Sequence, residues 1–550
     1  MRDHDTLFGY FNDWVEACPD RTWLRELNES GPVEYSWAEG NRQINTVAAA
    51  LEKRFGHGVC MLLLSKNRPH WFLADLAIIR SGNVTVPLFT TQKADVARYI
   101  ADFTESKVLF LGESENTELV LAELGEEVTI VTLPGVTTTR PHLTWEQLLE
   151  EGREQSLSFE PKESDTISYV FTSGTTGMPK GVIQTHESNV IPVKRAYKFL
   201  GIETQPRYFS YLPLSHVAER QIVEFSSLIT GGEVTFNQSL DTMLTDLQVA
   251  KPDVFFGAPR IWERIQLAVI EKFGGHEAFD QAFKADPKGI GELVIAGLGL
   301  DNVKFCLSAA APIAPSLLDW WQSLGLPLYE GFGQTEAMGL IMSTPDANKV
   351  GSVGKPVGEV EVKLTDEDEL IIRSKGLSPG YYKQPDKTAE LFIDGWLHTG
   401  DKARIDEEGF IYITGRVKDF FKTIHGKFVS PIPLEAQFSQ NPFVEQQCLL
   451  GRGLSKTVMV ATLSEIGLSE QCEAVEEAVR ESVLAINDQA ESHARIGAVI
   501  LLDKQWTIEN DMMTPTLKLK RNVIEEKYVE LAEKLSKDSI QQKTVLLSRA

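Results

Sequence analysis

Residues 169–189 read YVFTSGTTGMPKGVIQTHESN, and no other stretch restricts the fold as strongly. The apolar run from Ile167 to Phe171 predicts a strand that passes straight into a segment, Thr172 to Gly181, holding Gly174, Gly177 and Gly181, four hydroxyl residues, one proline and Lys180. Glycines lacking Cβ let backbone N–H groups crowd round an anion. Thr172, Ser173, Thr175 and Thr176 add hydroxyl donors, and Lys180 adds a positive charge. That chemistry suits a polyphosphate held by a rigid scaffold. The spacing is not Gly, four residues, then Gly-Lys and Ser or Thr, because Lys180 follows Pro179 and precedes Gly181. A plain surface loop is the alternative for such a composition.

Strand-like and helical patterns alternate ahead of this stretch. Ser36 caps a helix reaching Arg54, with Glu39 at capping-box spacing. Cys60 to Ser65 reads as a strand, Trp71 to Arg80 as a helix, and Val84 to Leu88 and Val108 to Leu111 as strands, the first of them limited by Pro87. Alternation of this kind predicts an α/β fold with mainly parallel sheets covered by helices. A chain of 550 residues exceeds one hydrophobic core and divides into several domains. The net charge of -24 argues against nucleic acid as a partner, since that needs a basic footprint. Cys18, Cys60, Cys306, Cys448 and Cys472 are scattered and form no CxxC pair, as befits thiols in a reducing compartment. With neither a signal-like apolar stretch nor a run long enough to span a bilayer, the expectation is a cytoplasmic protein, with peripheral membrane contact left open. Oligomeric state leaves no signal in the sequence.

Five further strings carry chemistry. FSYLPLSHVAER, Phe209 to Arg220, sets His216 between a proline turn and an apolar helix, Ile222 to Thr230; FFGAPRIWERI, Phe255 to Ile265, reads as a strand running into a helix that bears Trp262. In YEGFGQTEA, Tyr329 to Ala337, Gly331 and Gly333 permit close backbone approach, Phe332 offers a flat face for a base, and Glu336 offers a hard oxygen to Mg2+. In the segment from Asp394 to Thr423, Asp401 can accept two hydrogen bonds from a ribose diol and Arg416 can donate from the other side, or the two can simply pair. Near the end, MMTPTLKLKRNVIEEKY places Lys518 and Lys520 before a helix starting near Asn522. Lysines at i and i+2 of an extended segment share a face but lie about 7 Å apart, so only one can sit at reacting atoms.

In this order the strings resemble the adenylate-forming enzymes: acyl-CoA synthetases, luciferase-like ligases and peptide-synthetase adenylation domains. The resemblance implies a large domain, 1–417, of helix-covered, mainly parallel sheets and a small mobile α/β domain, 418–550, turning about a hinge at Lys418. It assigns Thr172, Ser173, Gly174, Thr175, Thr176, Gly177 and Lys180 to the phosphates of ATP, with Gly331, Phe332 and Gly333 at the adenine. Thr335 falls to the α-phosphate, Glu336 to Mg2+, Asp401 and Arg416 to the ribose, and Lys422, Gly426 and Lys427 to the CoA channel. Thr516, Lys518 and Arg521 fit the spacing around the family's catalytic lysine, with Leu517 in place of a glycine; this favours Lys518 and leaves Lys520 as the alternative. A second departure is Ala309 in LSAAAP, where a glycine is usual.

The segments around His216, counted as catalytic, and Trp262 are similar to those of long-chain acyl-CoA synthetases. The implied function is ATP- and Mg2+-dependent conversion of a fatty acid to acyl-AMP, then to acyl-CoA. An apolar tunnel would suffice for chain-length preference, since eight buried CH₂ groups supply about 6 kcal/mol. An aryl or medium-chain acid:CoA ligase and a catalytically silent nucleotide-binding regulator are the alternatives. An amino-acid-activating domain fits less well, because Phe209 to Ser215 offers no carboxylate to an amino group.

Overall fold

The computed structural model describes residues 3–172, 178–202, 205–508, 510–514, 518–542 and 545–549. Ser173, Gly174, Thr175, Thr176 and Gly177 of the expected phosphate loop, and Thr516 and Leu517 beside Lys518, lie outside the described residues.

Contacts divide the chain into two units. The first takes in Met1–Thr172, Met178–Val362 and Ile372–Leu397; the second holds Lys363–Ile371 and His398–Ala550. In the first unit the apolar runs read from the sequence become strands of one sheet. Its order is His142–Thr144, Thr129–Thr132, Val108–Leu111, Cys60–Leu64, Val84–Leu88, Thr166–Thr172, Lys180–Thr185. All neighbours are parallel except the last pair, which is an antiparallel hairpin. Pro87 lies inside its strand opposite Leu63. The neighbour on the other side pairs only at Thr85–Ser168, upstream of the residue that lacks an N–H, so the ladder loses nothing there.

Helices cover this sheet where their apolar faces demand it. Trp37–Phe55 starts at Ser36, whose hydroxyl accepts from the Glu39 N–H, as its sequence predicts. The next helix begins two residues before the expected Trp71, at Pro69, which sits at the first helical position where its missing N–H costs nothing. Trp23, Trp37, Trp71 and Trp145 are fully buried in the resulting core.

Two further sheets belong to the same unit. In one, Val254–Gly257, Phe305–Ser308 and Leu328–Gln334 are parallel, and Ala337–Met342 and Lys355–Pro356 follow antiparallel. In the other, Arg207–Ser210, Glu233–Phe236 and Thr22–Glu26 are parallel. The expected apolar helix over 222–230 differs in detail, for Arg220–Phe225 is a π-helix and only Ser226–Thr230 is α-helical. The wider turn accommodates an ion pair with no solvent exposure, Arg220 Nη2 to Asp75 Oδ2 at 2.5 Å and Arg220 Nε to Glu224 Oε2 at 3.4 Å. Burial first, and the Asp75 charge second, push the Glu224 carboxyl well above the carboxylate range.

The second unit has its own sheet, ordered Val444–Leu450, Thr457–Leu463, Ile496–Leu502, Leu546–Arg549, covered by Cys472–Gln489 on one core and Arg521–Gln542 on another. Among the described residues no helix is long and apolar enough to cross a membrane.

Candidate active site

In open α/β sheets ligands bind beyond the carboxyl ends of parallel strands. Most of the strings singled out in the first unit leave strands at that end. Thr172 closes the strand Thr166–Thr172. Its partner on the neighbouring antiparallel strand is Lys180. The run Ala309 to Pro312 follows the strand Phe305–Ser308, and Tyr211 to His216 follows Arg207–Ser210. Gly331, Phe332 and Gly333 occupy the carboxyl half of Leu328–Gln334, and Thr335 and Glu336 form the two-residue turn into Ala337–Met342. A Cβ on Gly331 would stand 3.0 Å from Leu307 Cδ1, closer than packed side chains tolerate without yielding.

A third segment, 378–382, ties the loop hairpin to the Glu336 turn. Tyr382 N–H donates to the Gly181 carbonyl at 2.8 Å, and Ile183 N–H donates to the Gly380 carbonyl at 2.9 Å. Ser378 N–H donates to the Glu336 carbonyl at 3.0 Å. Tyr381 then meets both charged groups: its hydroxyl donates to Glu336 Oε1 at 2.7 Å, and the Lys180 ammonium lies 4.8 Å from its ring centroid. Lys180, Glu336 and the Thr335 turn are thus brought together through a tyrosine that the sequence reading did not single out. Its only local signal is a Gly-Tyr-Tyr turn after Pro379.

Mg2+ binds through one or two carboxylates and completes its shell with substrate phosphates and water. Among the described residues no group of three or more His, Cys, Asp or Glu side chains is arranged as a metal cage. A lone carboxylate in a turn beside a lysine-bearing loop fits an ion that arrives with its phosphates.

His216 caps a short helix, with its Nδ1 accepting from the Ala218 N–H at 3.2 Å. Phe209, Tyr211, Phe255 and Trp262 form a packed aromatic cluster; Trp262 is fully buried and donates its indole N–H to the Gly257 carbonyl. Glu219, in the same string, accepts from the Tyr211 N–H at 3.0 Å, and burial raises its carboxyl to about 8. Glu330, next to Gly331, is likewise raised by burial to about 8. Neither acid was anticipated, because burial leaves no mark on a glutamate in a sequence. In the LSAAAP turn the left-handed residue is Ala310, at φ +74°, and not Ala309.

The remaining candidates lie in the second unit. Asp401 and Arg416 are cross-strand partners, with Nε 3.0 Å from Oδ1; Asp401 is 6% exposed at the side chain and Arg416 51%. Lys418 is exposed in the turn that follows Ile411–Arg416. Lys422, Gly426 and Lys427 lie on the hairpin formed by Phe421–Lys422 and Phe428–Val429, with Gly426 at φ +73°. Lys518 is exposed, and its backbone is pinned at both ends: its carbonyl accepts from Thr514 N–H and its N–H donates to Thr514 Oγ1. Lys520 instead turns its ammonium to Asp511 Oδ1 at 2.9 Å. Arg521, one residue on, holds Glu435 with both terminal nitrogens, at 2.7 and 2.8 Å.

Thr172 paired with Lys180, and Tyr381 joining Lys180 to the turn carboxylate Glu336, set a cation and an acid at the carboxyl edge of the parallel sheets of an α/β protein. The chain belongs to the AMP-binding enzyme family, whose model matches residues 11–382, while the family's C-terminal domain matches residues 418–539. It is similar to the long-chain-fatty-acid–CoA ligase ACSBG2 of Gallus gallus, with 27% identity over 88% of this chain and 74% of that one. Against the long-chain-fatty-acid–CoA ligase FadD15 of Mycobacterium bovis the identity is 28% over 96% of each chain. Among solved structures, the adenylation domain of a carboxylate reductase from Mycobacterium chelonae matches with a TM-score of 0.81 at 22% identity, covering 96% of this chain and 91% of that one. The anthranilate CoA ligase AuaEII, in complex with anthranoyl-AMP, matches with a TM-score of 0.77 at 21% identity, covering 95% and 96%.

Proposed function

We propose that the protein is an AMP-forming acid–thiol ligase that activates a long-chain fatty acid with ATP and passes the acyl group to CoA. The meeting of Lys180 and Glu336 at Tyr381 is the observation that carries the reading, because it sets a cation and a hard carboxylate on one tyrosine beside the end of the strand Thr166–Thr172. Likeness to long-chain-fatty-acid–CoA ligases over most of the chain supports the substrate class.

A carboxylate does not react usefully with a thiol, since its leaving group would be oxide. In the proposed route a carboxylate oxygen attacks the α-phosphorus, the bond to the β-phosphate bridging oxygen breaks, and pyrophosphate leaves. The CoA thiol then loses its proton, its sulfur attacks the acyl carbon, and AMP departs with the acyl C–O bond pair. No protein nucleophile is required, so the chain's work is positioning and charge stabilisation. The Thr172–Lys180 hairpin holds the β- and γ-phosphates, Thr335 meets the α-phosphate, Gly331 to Gly333 receive the adenine, and Asp401 with Arg416 receives the ribose. Glu336, together with the phosphates of ATP, would hold Mg2+, which would supply charge neutralisation for the departing group. Lys518 bridges the carboxylate and the α-phosphate, and His216 lies on the acyl side. A small domain, 418–550, turning about Lys418 withdraws Lys518 and brings Lys422, Gly426 and Lys427 to the pantetheine path, so that one cleft serves both steps. The acid is collected from a membrane surface in the cytoplasm by peripheral contact.

Measuring AMP and pyrophosphate release across C2 to C18 fatty acids and several aryl acids, with and without CoA, tests the reading. Release peaking at C12 to C18 with thioester formation is the expected result. A peak on aryl or medium-chain acids replaces the substrate class, and no acid-dependent release leaves a nucleotide-binding regulator.

A further inference from the structure

Three buried side-chain amides run in line from the acyl-side helix to the Glu336 turn. Gln221, in the π-helix Arg220–Phe225, donates from Nε2 to Asn189 Oδ1 at 2.9 Å. Asn189, in the helix His186–Leu200, donates from Nδ2 to Gln184 Oε1 at 3.3 Å. Gln184, on the loop hairpin, donates from Nε2 to the Thr335 carbonyl at 2.9 Å. All three are at most 4% exposed.

The polarity of this line is dictated from one end. A backbone carbonyl only accepts, so Gln184 must present its NH₂ to Thr335 and its carbonyl to Asn189. Asn189 must then present its NH₂ to Gln184 and its carbonyl to Gln221. Three flexible amides are thereby left with one orientation each, and donors aligned head to tail strengthen one another. The far end is fixed as well, because Arg220, which precedes Gln221, is locked to Asp75 and Glu224 with no solvent exposure. The near end controls a whole peptide plane, since the Thr335 carbonyl and the Glu336 N–H belong to one planar unit. His216 and Glu219 lie a few residues upstream, on the string Phe209 to Arg220 that Gln221 immediately follows.

We infer that Gln184, Asn189 and Gln221 form a positioning relay that sets the Thr335–Glu336 turn from the helix following His216 and thereby serves the adenylation step. The three residues act through the turn and touch no substrate. This inference rests on the proposed acid-activating function.

The test measures acid-dependent ATP–pyrophosphate exchange, conversion of supplied acyl-adenylate and CoA to thioester, Mg·ATP affinity and melting temperature. Gln184→Met and Gln221→Met keep side-chain length and cut the line at either end. Each is expected to lower exchange about tenfold, a modest misplacement effect, and to leave the thioester step within twofold of the parent. The double variant should be no worse than Gln184→Met alone, because the line is already broken. Asn189→Leu, which keeps the branched shape and has no group to donate to Gln184, should behave like the single variants and covers the case in which a methionine variant fails to fold. Exchange equal to the parent's in these variants overturns the relay, as does a parallel fall of both half-reactions with the melting temperature. If the parent itself shows no exchange with any acid, the proposed function falls. The relay is then read from Mg·ATP affinity, which the variants lower about tenfold if it holds and leave unchanged if it does not.

Discussion

The Tyr381 hydroxyl donates a 2.7 Å hydrogen bond to Glu336, the one carboxylate in the turn between Leu328–Gln334 and Ala337–Met342. The two residues are 45 positions apart, and the strand-like pairing of 378–382 with Lys180–Thr185 carries one to the other. Orientation of a metal-holding carboxylate by such a partner is commonly worth 10- to 100-fold in metal affinity. Tyr381→Phe is therefore expected to raise the Mg2+ concentration for half-maximal activity about tenfold. Tyr381→Leu, which also removes the ring beneath Lys180, should weaken ATP binding further. A Mg2+ titration with an unchanged midpoint in Tyr381→Phe would sink this role.

The two candidate lysines near the C-terminus have different surroundings. The Lys520 ammonium lies 2.9 Å from Asp511 Oδ1, and the Lys518 backbone exchanges hydrogen bonds with Thr514. Lys518→Ala should cut adenylation by about 10² or more, the size of loss seen when one transition-state charge donor is removed. Lys520→Ala should cost at most about 1 kcal/mol of stability, as for a partly exposed pair, and little activity. Steady-state rates and melts of both variants decide between them; the reverse pattern moves the assignment to Lys520.

The stability of the first unit should be greatest on the acid side of neutrality, where the contributions of two buried histidines and two buried glutamates oppose one another, and fall towards pH 3 and towards pH 8. His70 and His186 are pushed by burial down to about 3, far below their ordinary 6.5. The unfolded chain takes up protons there first, so their contribution is complete above pH 6.5 and lost as pH falls towards 3. Glu219 and Glu330 are pushed up to about 8 from 4.5, so the folded chain binds the extra protons and stability declines as pH rises from 4.5 to 8. Thermal melts from pH 3 to 9.5 check both limbs. Glu219→Gln should match the parent near pH 4.5 and exceed it increasingly up to pH 9; equal losses in the two proteins at high pH would contradict the assignment.

At the LSAAAP turn the backbone is left-handed at Ala310, which carries a Cβ into a region costing about 1–2 kcal/mol. Ala310→Gly should raise stability by up to about 1 kcal/mol. Ala309→Gly, at a residue outside that region, should lower it by about 0.5–1 kcal/mol through the greater freedom of the unfolded chain. Denaturant melts of the pair read both signs, and a loss of stability in Ala310→Gly would show that the turn is not strained.

Local chemistry made much of this molecule legible. The Ser36 cap and the Cys60–Leu64, Val84–Leu88 and Thr166–Thr172 strands are written in adjacent residues, and the structure has them at or within a residue of the expected places, whereas the antiparallel strand Lys180–Thr185 was not expected. Contacts between distant residues were not legible. Gln184 meets Thr335 across 151 positions and Arg220 meets Asp75 across 145, and nothing in a single glutamine or arginine announces such a partner. The π-helix at Arg220–Phe225 was hidden for a related reason, since its extra residue accommodates a buried ion pair whose far member lies in another helix. Tyr381 was passed over because its role depends on which strand its segment joins.

Oxygen transfer tests the central claim most directly. A long-chain fatty acid labelled with ¹⁸O at both carboxylate oxygens is incubated with the protein, ATP, Mg2+ and CoA, and the phosphorus products are weighed by mass spectrometry. Attack of the carboxylate on the α-phosphate followed by acyl transfer leaves one acid oxygen on AMP, so each turnover is predicted to give AMP carrying a single ¹⁸O and unlabelled pyrophosphate. Label in inorganic phosphate with ADP as co-product, or thioester formed with unlabelled AMP, would contradict the account.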